Sequence, residues 1–384
     1  MVNRKNKNKK ERVAAEIYYW SKFDDDNKLA GGEIRAMYMI PELMKLSRNV
    51  TMVVRPDNII PGKLLKKNKI LSRIFLLLLL PLYVFKRSQS EHHKPSLIYC
   101  STCYFWDIFP ATLIKLFFRC RIACVSHDTP MQRKGYKFYR SSEKKSVSKS
   151  ILLTVIGKLQ EILLFFVDVP IGISEFAMDF FQPSSIRTRA ILSANGIPSV
   201  ISAPLRISDK SYDIVYVGRV IPRKNLETLL RALNLASTKI NLLLITNSNE
   251  NTVMSLIKHN LNNTLIKVVL KFNVTENVKF GLLQSSKIAV NISYDENFSI
   301  STMECASQGV ALVLTDSNFF RNIYDKCAIY VNPNDSREVY AAIHSLLNDM
   351  GQLEEMSKLS LSVAKNYVYS NLAIKEYDKI SRHF

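Results

Sequence analysis

What this 384-residue chain has little of narrows the field first. Eleven glycines and 13 prolines are too few for a collagen-like or low-complexity chain, and 47% hydrophobic residues make it globular. No apolar run reaches the roughly 18 residues of a membrane-spanning helix. Six scattered cysteines exclude a disulfide framework in a chain of this length and fit a reduced, cytosolic protein. No secretory leader is evident. The basic start, N-R-K-N-K-N-K-K, leads only to Val13–Trp20, a short run that carries Glu16. Acids are the scarcest charged class: 33 Asp and Glu against 53 Lys and Arg, a net charge of +20. That balance favours anionic partners such as nucleic acid, anionic lipid or phosphorylated substrates.

Two of those classes can be set aside. Cys100-x2-Cys103 and Cys120-x3-Cys124 have spacings that a zinc site uses, but Cys100, Cys120 and Cys124 lie in or beside apolar runs, where a free thiol behaves as a small hydrophobe. No metal is expected. No nucleic-acid partner is expected either. Aromatic residues are not interleaved with the basic runs, and no helix-turn-helix, RNA-recognition or zinc-finger pattern is present.

The length exceeds one compact core, so two domains are expected. Short apolar runs alternate with helical patterns: Ile17–Trp20, Val50–Val54, Leu97–Cys100, Ile122–Ser126 and Val169–Ile173, then Ile214–Val217, Leu242–Ile245, Ile266–Leu270, Ile288–Ile292, Ala311–Leu314 and Ala328–Val331. This spacing predicts an α/β protein with a doubly wound parallel sheet in each half. The aperiodic, Pro- and Ser-containing segment Ser199–Asp209 marks the break, giving domains over 1–200 (with a basic tail at 1–12) and 201–365 that leave a cleft between their sheet edges. Asn225 is placed to cap a helix over Leu226–Ala236, and Asp335 or Ser336 one over Arg337–Leu347.

The most informative stretch is S-Y-D-E-N-F-S-I-S-T-M-E, Ser293–Glu304. It follows the strand-like Ile288–Ile292. Glu296 therefore falls in the loop at a strand's C-terminal end, and Glu304 about one turn into the next helix, which Ser299 or Ser301 can cap. Ligands of open α/β sheets bind at that edge, and helix N-termini there favour anions. The plain alternative for Glu304 is an exposed first-turn carboxylate complementing the helix dipole. A second motif, V-G-R-V-I-P-R-K-N-L, ends the strand Ile214–Val217: Gly218 permits a tight turn, and Arg219 and Lys224 follow. Two fixed cations beside a helix N-terminus can stabilise a departing diphosphate without a metal. A solvated basic turn is the alternative. His127 follows the strand-like Ile122–Ser126 and reads as a site residue or a satisfied structural histidine, while Gly31-Gly32 reads at least as a turn.

Residues 63–87 stand apart. Lys63, Lys66, Lys67, Lys69 and Arg73 precede the apolar run Ile74–Phe85, and Lys86 and Arg87 follow it. Cations at both ends fit binding in the interface of an anionic membrane; a buried core helix is the alternative. Ile151–Val167, broken by Lys158, Gln160 and Glu161, is either core or an extension of the same surface.

Ser293, Glu296, Phe298 and Glu304 match S-x-x-E-G-F-G-x-x-x-x-E-A, and Gly218–Asn225 resembles G-R-x-x-x-x-K-G. Together these resemble the retaining glycosyltransferases of the GT-B fold, family 4 type (glycosyl transferases group 1). Asn225, Asn297 and Ser299 stand where that family has glycines, and Cys305 where it has alanine. The resemblance implies a GT-B architecture of two Rossmann-like domains, the first binding the acceptor and the second the nucleotide sugar, with a C-terminal helix over 366–384 returning to the first. It implies a retaining, metal-independent hexosyltransferase without a cofactor, using a UDP- or GDP-sugar. Attack would come from the donor's front face, with the departing phosphate helping to take the acceptor proton.

By resemblance, Arg219 and Lys224 hold the diphosphate, Glu304 accepts from the ribose hydroxyls, and Glu296 faces the hexose. His127 touches the donor sugar. Gly218, Asn297, Phe298, Ser299 and the Gly31-Gly32 loop line the donor; Ser174–Phe176 and Asn195-Gly196 look like further cleft segments. The triple acid Asp24–Asp26 reads as solvated, because GT-B enzymes do not use a metal-binding D-x-D. Residues 63–87 then suggest a lipid-linked glycan or envelope glycolipid as acceptor, handled by a peripheral protein on the cytoplasmic face of a membrane. A catalytically silent GT-B relative serving as a membrane-associated scaffold is the alternative that the glycine departures suggest.

Overall fold

The computed structural model describes residues 13–19, 31–60, 69–127, 135–141 and 146–383. The basic tail, Asp24–Asp26, Lys63, Lys66 and Lys67 lie outside them. The chain forms two compact units, Met1–Ala194 with Ala373–Phe384, and Asn195–Leu372.

The first unit holds a six-stranded sheet of β1 (Val13–Tyr19), β2 (Val50–Val54), β3 (His93–Cys100), β4 (Arg121–Ser126), β5 (Val169–Gly172) and the two-residue β6 (Ile191–Leu192), in the order β2-β1-β3-β4-β5-β6. Every neighbouring pair is parallel. A parallel sheet is covered on both faces, which is why its central strands read as continuous apolar runs; all four residues of β5 are buried.

The expected start of β1 at Ile17 was too late, because a buried carboxylate sits inside the strand. Glu16 is buried yet accepts from Tyr18 Oη (2.9 Å), Asn49 Nδ2 (2.9 Å) and Tyr377 Oη (3.0 Å). Three donors make the burial tolerable. β3 also starts earlier than expected, and Pro95 within it lies where the β1 register shifts, a place where a strand accepts a residue without an N–H.

The last helix, Tyr369–Ser381, contributes Glu376 to this unit. Arg35 forms a buried ion pair with Glu376 and donates to Tyr99 Oη (2.8 Å), which donates to Glu376 Oε1 (2.7 Å).

The second unit repeats the plan with β7 (Tyr212–Val217), β8 (Ile240–Thr246), β9 (Ile266–Phe272), β10 (Ser286–Asn291), β11 (Ala311–Thr315) and β12 (Ala328–Val331), in the order β12-β11-β10-β7-β8-β9, again all parallel. The chain starts at the centre with β7, winds out to β9, returns to β10 beside β7 and winds out the other way. The C-terminal ends of β7 and β10 therefore flank a topological switch point, where a doubly wound sheet opens a crevice for ligands. Asp335 caps the helix Ser336–Asn348 as expected, accepting from Arg337 N and Glu338 N.

Among the described residues no helix is long and apolar enough to cross a membrane.

Candidate active site

Both motifs of the second unit emerge at its switch point. β7 ends at Val217, and Gly218 follows at φ +157°, a conformation that side chains rarely adopt. Tyr216 Oη donates to Arg219 O (3.0 Å), Val220 N donates to Ser248 Oγ (2.7 Å), and Pro222–Lys224 form a 3-10 turn, so the loop is tied to its surroundings at several points.

Asn225 does not cap the following helix, Leu226–Leu233. It sits in the left-handed region at φ 52°, which suits glycine or asparagine, and its side chain points elsewhere. Its Nδ2 donates to Ile292 O (3.2 Å) and Pro333 O (2.7 Å), and its Oδ1 accepts from Thr228 Oγ1 (2.8 Å). The residue standing in place of a glycine keeps the backbone conformation and adds a clamp between the loops after β7, β10 and β12.

That clamp aligns the second motif. Tyr294 N donates to Arg223 O (2.9 Å) and Arg223 Nη1 to Asp295 O (3.2 Å), so the two motif loops run side by side. Lys224 forms an ion pair with Glu296, both side chains largely buried. Ser299 occupies the N-cap position of the helix Ile300–Ser307, but its hydroxyl makes no cap bond. Asn291 Nδ2 holds it, at 2.7 Å from Ser299 Oγ and 2.7 Å from Thr302 Oγ1. Phe298 is buried with its ring 5.6 Å from that of Tyr367, anchoring the loop from below.

Glu304 differs most from the plain expectation. Instead of an exposed first-turn carboxylate it is 4% exposed, and Lys279 Nζ lies 2.6 Å from its Oε1. Lys279 stands on the helix Glu276–Gln284, packed against Ile300–Ser307. Burial pushes the Glu304 carboxyl up, the Lys279 ammonium pulls it back, and the Glu276 carboxylate adds to the rise. No sequence pattern singled out Lys279. It follows β9 within no recognisable motif, and only its neighbour across the helix pair gives it meaning. Arg219, by contrast, is exposed and has no ion pair among the described residues; the structure does not gather it into the cluster.

In the first unit the helix Gly31–Leu46 opens on Gly31-Gly32, and a Cβ at Gly32 would lie 3.0 Å from His127 Cδ2. A side chain at that position would require the ring to shift. His127 Nε2 is 3.2 Å from Ser101 O. A carbonyl only accepts, so Nε2 carries the proton. Burial, aided by the Arg35 charge, pushes the His127 pKa down to about 3, so the imidazole is neutral. Gly32, His127 and Ser101, from three segments of the chain, thus meet at the C-terminal edge of the first sheet. Ser174 caps the short helix Glu175–Met178 by accepting from Ala177 N. At Gly196 a Cβ would meet Tyr367 O at 2.4 Å, so that glycine serves backbone packing.

Two doubly wound parallel sheets with interleaved helices define the GT-B class of fold. Structures similar over the whole chain share it. A sucrose-phosphate synthase from Thermosynechococcus elongatus matches at TM-score 0.68 and 15% identity, over 97% of this chain and 98% of that one. Anabaena HepE, in complex with UDP and glucose, matches at TM-score 0.63 and 13% identity, over 96% and 99%. A glycosyltransferase from Rickettsia africae matches at TM-score 0.64 and 13% identity, over 96% and 98%. At the sequence level, residues 199–360, within the second unit, match the family described as Glycosyl transferases group 1. No curated protein matches the sequence.

Proposed function

We propose that the protein is a retaining glycosyltransferase that moves a hexose from a nucleotide-diphosphate sugar to an acceptor bound by the first unit. The observation that carries this reading is the pairing of both motif carboxylates with lysines, Lys224 with Glu296 and Lys279 with Glu304, beside the switch point of the group 1 unit. Lys224 and Arg219 neutralise the diphosphate as it departs, which is where transition-state charge grows. Glu304 accepts from the ribose diol and Glu296 from the hexose. The reaction needs no protein nucleophile: the acceptor oxygen attacks the anomeric carbon from the face the diphosphate leaves, the C–O bond to phosphate breaks, and a phosphate oxygen takes the acceptor's proton. The cations that balance the leaving group are side chains, so no metal is required in this scheme. Structures of Anabaena HepE with UDP-glucose support a UDP-sugar as donor.

The acceptor is a lipid-linked glycan or glycolipid, with the protein peripheral to the cytoplasmic face of a membrane. The apolar helix Lys69–Ser90 supports this: Ile74, Phe75, Leu78, Leu79, Leu82 and Phe85 are exposed while Leu76, Leu80 and Val84 are buried, so the helix is half core and half outer surface. Neutral His127 and Gly31-Gly32 meet the donor sugar as hydrogen-bonding and close-approach groups, not as a charge.

The test is incubation with UDP-hexoses and polyprenyl-phosphate-linked acceptors, reading the product's anomeric configuration by NMR. Retention is the expected result. Inversion removes the retaining mechanism, and absence of transfer with every donor supports the silent scaffold.

A further inference from the structure

The first unit carries a surface that the transfer chemistry does not use. In a surface helix of a soluble protein the apolar stripe faces the core. The helix Val147–Leu163 does the reverse. Ser150 is its one fully buried residue, while Ile151, Leu152, Val155, Leu159 and Ile162, spaced as one helical stripe, face outward. Phe165 and Phe166 continue the stripe.

This stripe is not isolated. The helix Phe105–Phe118 packs against both Val147–Leu163 and Lys69–Ser90. At its C-terminal end Leu116 and Phe117 are 64% and 72% exposed. The Phe85 ring lies 6.4 Å from Phe117, joining the first two helices, and Lys115 Nζ donates to Phe166 O at 2.8 Å, joining the second to the third. The outward apolar residues of three neighbouring helices therefore form one continuous face. Patches of this extent mark an interaction site.

We infer that these three helices form a single platform that seats the protein in the interface of an anionic membrane. The inference deepens the membrane side of the proposed function, and its test does not depend on glycosyl transfer. Charge placement selects the membrane over a protein partner. The centre of a protein interface is depleted of lysine. Here Lys158 borders the apolar stripe, Lys149 stands near the start of the same helix, Lys86 directly follows Phe85, and Arg119 stands two residues after Phe117, all exposed. Apolar side chains that reach the acyl boundary, among cations that reach headgroup phosphates, describe an interfacial helix surface.

The experiment is vesicle flotation of the full chain with phosphatidylcholine alone and with added phosphatidylglycerol. The wild type binds, and more strongly with the anionic lipid. Val155→Ser with Ile162→Ser, far along the chain from residues 63–87, weakens binding by on the order of tenfold or more, as does Leu78→Ser with Leu82→Ser. Lys149→Glu with Lys158→Glu abolishes the anionic preference. All these positions are exposed, so thermal unfolding stays as in the wild type and confirms folded variants. The inference is overturned by a wild type that stays with neither vesicle, by a 155/162 variant that binds as well as the wild type, or by a wild-type dimer that the same serine substitutions dissolve.

Discussion

The two units invert the usual relation between charge and water. In the second unit charged groups that belong at a surface are drawn in and paired, Lys224 with Glu296 and Lys279 with Glu304. In the first, apolar side chains that belong inside are turned out along Lys69–Ser90 and Val147–Leu163. Each inversion costs stability unless something outside the chain completes it, and the two need different completions. A buried ion pair at a sheet's switch point waits for a polar, anionic ligand. An outward apolar face waits for an apolar phase.

The largest effect is expected where the buried pair is broken on one side. Lys279→Met leaves the Glu304 carboxylate buried without its cation and costs about 3 kcal/mol of stability in urea unfolding. Adding Glu304→Gln recovers most of that loss; a double variant no more stable than Lys279→Met would show that the pair is not the cause. Next, Lys224→Ala slows transfer by roughly a hundredfold, the usual scale for losing one group that stabilises developing charge. Undiminished turnover would move the diphosphate elsewhere.

Asn225 tests the clamp. Asn225→Ala loses the bonds to Ile292 O and Pro333 O and also strains a left-handed residue, costing about 2 kcal/mol, whereas Asn225→Gly keeps the conformation and costs about 1 kcal/mol. Equal losses would mean the backbone conformation is not what the position demands.

The last effect, small near neutral pH, concerns the first unit. His127 is held neutral far below the ordinary histidine range. A depressed folded-state pKa means the unfolded chain binds the extra proton first. Stability should therefore fall as pH drops below about 6.5, and His127→Gln should flatten that fall. An imidazole that titrates near 6.5 by NMR would contradict the burial argument.

Much of the second unit was legible because its physics is local. Strands buried on both faces are unbroken apolar runs, so Ile214–Val217 and Ala311–Leu314 lie within observed strands, and the loops carrying Lys224 and Glu296 follow by position. What escaped depends on partners distant in sequence. The first strand was expected only from Ile17, past Glu16, whose donors Tyr18, Asn49 and Tyr377 are brought together by the fold. Lys279 has no motif and is defined by Glu304 across a helix pair. Asn225 fitted an N-cap by residue type, but its backbone is left-handed and its amide serves other loops. For Val147–Leu163 periodicity reveals a stripe but not which way it faces; that is decided by Phe105–Phe118 packing on the opposite side.

The central claim, a nucleotide-sugar site built on the paired carboxylates of the second unit, is tested most directly by thermal shift of the wild type and Lys224→Ala against UDP, GDP, ADP and their sugar conjugates. The account predicts stabilisation by one nucleotide class, UDP first, that is lost or sharply reduced in Lys224→Ala. No shift with any nucleotide, or a shift that survives the substitution unchanged, would contradict it.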